Sequence, residues 1–217
     1  MRLKFLPSFV KRQGRITKRQ EKGLKLLNKY SISSVNDIKN ESMKFKQCCL
    51  EIGFGNAEHL IHQAKENYET LFIGSEVYMS GIGSLLSYLD ENSISNVRVF
   101  PDDIRMLLDQ DIMEIFDSIK ILCPDPWPKD KHHKRRLINV GFLQMLNDFL
   151  KSNGSLYIST DWENYAESIK DTISRSEYFV SSNESYMNEK QLTKFEKRGI
   201  DQGRKIFEFN LKKRFNC

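Results

Sequence analysis

LEIGFGN (residues 50–56) sets two glycines, one phenylalanine apart, directly behind the apolar run Gln47–Ile52. A short apolar run that ends in glycines reads as a strand entering a tight loop, the first unit of a nucleotide-binding sheet. The chain then repeats the alternation. Runs of strand length recur at Leu71–Ser75, Val97–Phe100, Ile119–Cys123 and Ser155–Thr160. Segments with helical spacing lie at Ala57–Asn67, Met79–Glu91, Ile104–Phe116, Ile138–Leu150 and Trp162–Ser176. This order predicts an α/β fold with a doubly wound, mostly parallel sheet. Ile206–Leu211 (IFEFNL) alternates with period two and is expected to add an antiparallel last strand. Asn153-Gly154 is a turn signal before Ser155–Thr160.

In such sheets ligands bind beyond the carboxyl ends of the strands. The residue each run ends on is therefore informative. The five ends deliver Glu51, Glu76, Asp103, Asp125 and Asp161 to one rim, more acids than helix capping alone explains. Gly53 and Gly55 let the backbone approach a ligand, and Glu76, 23 residues after Gly53, suits ribose hydroxyls. A third glycine would fall at position 58, which is Glu58, so the dinucleotide fingerprint is incomplete. Glu51 would sit poorly beside a pyrophosphate and better beside a cation, such as the ammonium group of S-adenosylmethionine. Glu51, Gly53, Gly55, Glu76 and Asp103 thus point to S-adenosylmethionine rather than NAD.

PDPWPKDKHHKRRLI (124–138) follows the fourth run. Alternating prolines make a stiff, non-helical loop that holds Asp125 in place, and the Trp127 indole can pack near an aromatic base. Lys129 to Arg136 hold cations suited to phosphates. His59 and His62 are not spaced as a metal site, and no metal is expected.

The 217 residues, 39% hydrophobic, suit one mid-sized domain with a real core. No apolar run is long enough for a transmembrane helix, and the basic amino terminus lacks the pattern of a secretory signal, so a cytoplasmic protein is expected. Cys48, Cys49, Cys123 and Cys217 form no CxxC pair and are expected to be reduced thiols. The net charge of +5 hides an asymmetry: residues 1–29 carry +9, residues 190–217 carry +6, and the middle carries −10. An acidic body with basic ends suggests an anionic partner gripped by appendages.

Together LEIGFGN, PDPWPK with HKRR, TDWENYA (160–166), TKFEKRG (193–199) and the basic SFVKRQGRITKRQ (8–20) resemble the bacterial tRNA (guanine-N7)-methyltransferases over essentially the whole chain. The resemblance implies a Rossmann-like class I fold, S-adenosylmethionine as cofactor and methyl transfer to guanine 46 of the tRNA variable loop. It implies a basic arm at 1–29, its order without RNA left open, and one methyltransferase domain at 30–217. Glu51, Glu76, Asp103 and Asp125 match the cofactor acids, with Asp125 also at the proposed catalytic position. Lys129, Asp161, Thr193, Lys194, Phe195 and Glu196 match substrate-contacting positions. Lys131, His132, His133, Lys134, Arg135 and Arg136 match the RNA-interacting stretch. Ala57 and Ser75 depart from residues common in the family, with altered cofactor affinity at most expected. tRNA is the implied partner, and a monomer or a homodimer fits equally. The alternatives are a methyltransferase for another RNA guanine, a non-catalytic RNA-binding protein of this fold, or an NAD-dependent oxidoreductase.

Overall fold

The computed structural model describes residues 5–10, 14–109, 112–184 and 192–214. Among them, seven strands form one sheet: β1 (Gln47–Ile52), β2 (Thr70–Ser75), β3 (Val97–Phe100), β4 (Phe116–Leu122), β5 (Leu150–Thr160), β6 (Phe179–Ser181) and β7 (Phe207–Lys213). The order across the sheet is β3-β2-β1-β4-β5-β7-β6. The first five strands are parallel, and β7 runs antiparallel between β5 and β6. The helices are α1 (Lys18–Leu24), α2 (Leu27–Tyr30), α3 (Val35–Ser42), α4 (Glu58–Glu66), α5 (Met79–Glu91), α6 (Ile104–Leu108), α7 (Val140–Phe149), α8 (Glu163–Arg175) and α9 (Lys194–Asp201).

Strand periodicity sorts side chains onto two faces. Cys48, Leu50 and Ile52 of β1 join a core with Ile38 of α3, Leu107 of α6, Leu143 of α7 and Ile169 of α8. Cys49 joins the opposite core with Leu60 of α4 and Leu85 of α5. A central parallel sheet apolar on both faces follows, each buried leucine or isoleucine contributing about 1.5–3 kcal/mol. Glu51 of β1 and Lys120 of β4 break this rule: they are partners in register and only 2% and 7% exposed. Burial raises the Cys48 and Cys49 thiols above their ordinary range, and Cys48, Cys49 and Cys123 are reduced. Cys217 lies outside the described residues.

The doubly wound sheet and its antiparallel last strand match the sequence pattern, with three local differences. The helical spacing of Ile104–Phe116 ends at Leu108, and Phe116 instead opens β4, fully buried and paired with Leu150. Asn153-Gly154 makes no reversal. It lies inside β5, which has four residues between Leu150 and Ser155 where β4 has one between Phe116 and Ser118. Strand β6, three residues long, is too short to show a period.

Part of the basic segment is docked on the body. Helix α1 crosses α5 so closely that a Cβ on Gly23 would stand 2.1 Å from the Gly83 carbonyl oxygen. Ser87 donates to the Arg19 carbonyl at 2.6 Å, and Arg19 and Lys29 pair with Glu91 and Asp90 at the end of α5. Residues 11–13 of the basic stretch lie outside the described residues.

Candidate active site

Strand order reverses between β1 and β4, so the crevice lies above the carboxyl ends of these two strands. The loop leaving β1 needs left-handed backbone: Gly53 has φ 75° and Gly55 φ 55°. Around Gly53 the space is open, since an added Cβ would meet nothing within 4 Å. Ala57, before α4, also sits at φ 66°, a conformation that favours the glycine common at this place in the family it resembles. Glu51 ends β1 with its Oε2 2.7 Å from Nδ1 of the buried His59.

Glu76, at the end of β2, ties the glycine loop to the next turn. Its carboxylate accepts from the backbone N–H of Gly55 at 2.7 Å, Val77 at 2.7 Å and Tyr78 at 2.9 Å. Burial raises its pKa above the usual glutamate value, the Asp125 charge adds to this, and the three N–H groups oppose it. Ser75 donates to the Asp102 carbonyl at 3.0 Å, joining the β2 and β3 ends. Asp103 caps α6 and is gripped by Arg105, whose Nη2 lies 2.6 Å from Oδ2 and Nε 3.0 Å from Oδ1.

The 124–128 loop is held from several sides. Cys123 and Trp127, each followed by proline, have φ 47° and 46°, so Asp125 sits midway between two positive-φ residues. Such strain persists only where surroundings over-determine it. Here they do. The Arg135 guanidinium lies over the Trp127 ring at 3.9 Å, with His132 edge-on to it. Arg136, only 7% exposed, donates to the Pro126 carbonyl at 2.9 Å and to Asn164 Oδ1 at 2.7 Å. Its guanidinium faces the Tyr165 ring, and burial lowers its pKa. Asp125 itself is exposed.

Residues 5–9 lie across this loop as a strap. Trp127 Nε1 donates to the Ser8 carbonyl at 2.9 Å, and Arg135 donates to the Pro7 and Phe9 carbonyls at 3.0 and 3.1 Å. Arg105 stacks on the Phe5 ring at 3.9 Å. The strap thus binds both the β3 and β4 ends.

Helix α9 folds back over the rim. Thr193 and Glu196 form a capping box. Glu196, fully buried, accepts from Ser159 at the end of β5 at 2.9 Å and from Thr193 Oγ1 at 2.9 Å. Gly199 packs on Asp161, whose Oδ2 would be 2.8 Å from an added Cβ, and Arg204 pairs with Asp161 at 3.1 Å. Phe195, 59% exposed, reaches the glycine loop: a Cβ on Gly55 would be 3.7 Å from its Cε2.

Glu51, Gly53, Gly55, Glu76, Asp103, Asp125 and Asp161 therefore share one rim, with Thr193, Phe195 and Glu196 brought over it and Lys194 exposed beside them. Lys129, Lys131 and Lys134 are exposed, His132 and His133 half-buried, and all lie on or beside a 3-10 turn over Asp130–Arg135. Arg135 and Arg136 turn inward onto the loop. Arg105, Arg204, His59 and the strap were not singled out as site residues by the sequence. For Arg105, Arg204 and His59 the only signal is a cationic or imidazole side chain opposite a strand-end acid, and for the uncharged strap it is a contact with Trp127 and Arg135; each needs the fold to be seen. Among the described residues, no group of three or more His, Cys, Asp or Glu could hold a metal, and no helix is long and apolar enough to cross a membrane.

The chain is similar to known proteins. A family model described as "Putative methyltransferase" matches residues 46–209. A tRNA (guanine-N(7)-)-methyltransferase of Nitrosococcus oceani is 39% identical over 96% of this chain and 91% of its own length. Among solved structures, an antibiotic-related methyltransferase superposes with a TM-score of 0.62 at 17% identity, over 82% of this chain and 94% of that one. A variant 16S rRNA (adenine(1408)-N(1))-methyltransferase of Catenulisporales acidiphilia, solved with its cosubstrate SAM, gives 0.57 at 12% identity, over 84% and 92%. The solved structures bear on the fold alone.

Proposed function

The chain belongs to the tRNA (guanine-N7)-methyltransferase family, and from this premise we propose that it transfers a methyl group from S-adenosylmethionine to N7 of guanine 46 in the variable loop of tRNA. The observation that carries the proposal is the convergence over one crevice of the open glycine loop, the strand-end acids and the returning helix α9.

The donor set fits the cofactor. Glu51 is a buried acceptor at the end of β1, suited to the ammonium of an amino-acid end. Glu76 is suited to ribose hydroxyls, and Asp103, neutralised by Arg105, to the amino edge of adenine. Gly53 and Gly55 leave room for close approach of the backbone. When bound, S-adenosylmethionine supplies an electrophilic methyl on a sulfonium, and the positive charge passes to the purine as the methyl moves.

Guanine N7 carries an in-plane lone pair that is unprotonated at neutral pH. No base has to remove a proton before attack, so alignment supplies much of the catalysis. Asp125, exposed over the crevice on its strained loop, orients the guanine and stabilises its developing positive charge. Asp161, fixed by Arg204, is placed to accept guanine N–H groups. Lys129, Thr193, Lys194 and Phe195 contact the substrate from the loop and from α9. Glu196 holds α9 against β5. Lys131, His132, His133 and Lys134 face the RNA, with Arg135 and Arg136 bracing the loop that presents them. A merely RNA-binding protein would have no need of the intact set of strand-end acids.

The experiment is methyl transfer to unmodified tRNA transcripts, with guanine or adenine at position 46. Methylation only of the guanine transcript is expected. Equal methylation of both would reject the site assignment, and no transfer with intact S-adenosylmethionine binding would favour the non-catalytic reading.

A further inference from the structure

The face of α4 that meets the sheet is polar where its neighbours are apolar. His59 and Gln63, four residues apart and so on one side of the helix, meet Glu51 and Lys120, which are partners in register on β1 and β4. His59 Nδ1 lies 2.7 Å from Glu51 Oε2, and Lys120 Nζ lies 3.1 Å from Gln63 Oε1. The His59 and Glu51 side chains are only 1% and 2% exposed. Burying such groups is costly unless they are paired, and an apolar residue at either place would pack without that cost. The pairing therefore asks for a use at the end of Glu51 that faces the crevice.

We propose that His59 is a positioning residue for the cofactor: its Nδ1–H holds one oxygen of the Glu51 carboxylate and so presents the other to an ammonium group above the glycine loop. In this role the Nδ1–H tautomer of His59 donates across the 2.7 Å contact and the Glu51 oxygen accepts. His59 is the second residue of α4, and the helix thereby couples its own docking to the orientation of the acid at the strand end. This rests on the assignment of Glu51 to the amino-acid end of S-adenosylmethionine.

The geometry makes a sharp demand on substitutions. Asparagine Nδ2 stands the same number of bonds from Cα as histidine Nδ1, whereas glutamine Nε2 stands one bond further. The test is calorimetry with S-adenosylhomocysteine and with 5′-methylthioadenosine, which lacks the amino-acid end, on wild type, H59A, H59N, H59Q and E51A. In H59A the affinity for S-adenosylhomocysteine is expected to fall roughly tenfold, while H59N stays within about threefold of wild type. Affinity for 5′-methylthioadenosine should not change in either, and kcat at saturating S-adenosylmethionine should stay near wild type. Unchanged S-adenosylhomocysteine affinity in H59A, with E51A weakened, would overturn the role of His59 alone. An equal loss for both ligands would also overturn it, as plain destabilisation. Wild-type affinity in E51A as well would instead sink the cofactor assignment. If H59A does not fold, the H59N and H59Q pair decides: H59Q weaker than H59N supports the proposal, and equal affinities overturn it.

Discussion

Glu76 is buried, yet its carboxylate is the group that three backbone N–H donors and a bound ribose would need ionised. Burial raises its folded pKa above the ordinary 4.5, so the stability it contributes is complete below the unfolded pKa and is lost as pH rises through the folded one. The melting temperature of Glu76→Gln relative to wild type should therefore improve as pH rises from about 4 to 7, while S-adenosylhomocysteine affinity stays impaired throughout. A difference in melting temperature independent of pH would contradict this. Asp125→Asn should lower kcat about 10²–10³-fold with a much smaller change in S-adenosylmethionine affinity. A limb in the wild-type kcat–pH profile that vanishes in Asp125→Asn would make Asp125 a general base instead. The strand-end acids were legible because each lies within three residues of the end of an apolar run. Arg105, Arg204 and His59 were not, because what identifies each is a partner in space, and Arg204 lies 43 residues from Asp161 along the chain.

Helix α9 is amphipathic and short, and its place over the rim depends on Glu196. Its carboxylate closes the capping box and takes the Ser159 hydroxyl from β5. Glu196→Ala leaves the buried Ser159 hydroxyl without this acceptor, at a cost of about 1–3 kcal/mol. The expected outcome is a higher KM for tRNA, with S-adenosylhomocysteine affinity within about twofold of wild type because the glycine loop is held by Glu76. Loss of cofactor affinity by calorimetry would show that α9 braces the cofactor side instead. The proline loop differs from its sequence reading in one respect. Trp127 was expected to stand beside a base, but its ring is covered by Arg135 and its N–H is taken by the Ser8 carbonyl. Proline spacing announces a stiff loop; it cannot announce which face of the indole the distant strap and the following arginine will occupy.

Across the whole molecule, the charge asymmetry resolves into cations with different work. Arg19 and Lys29 pair with α5 in exposed contacts that solvent screens, and Arg135 and Arg136 brace the rim. Lys131 and Lys134 remain exposed beside the crevice. Replacing both with alanine should reduce the slope of log affinity for tRNA against log salt by about 0.7–0.9 per lysine and leave kcat at saturating tRNA unchanged. An unaltered slope would place the phosphates elsewhere. The doubly wound parallel sheet and a crevice at its strand ends were readable from alternation, since parallel strands must be joined by crossovers and the glycines mark the first; the order of the strands was not. The docking of the basic segment through Gly23 and Gly83 was not, because a close helix crossing needs two glycines 60 residues apart to meet. The central claim is attack by guanine N7 at this rim. Its most direct test is a tRNA carrying 7-deazaguanosine at position 46, where a C–H replaces N7 and the rest of the base is intact. The tRNA should bind with unchanged affinity and accept no methyl group. Methyl transfer at the wild-type rate would contradict the account.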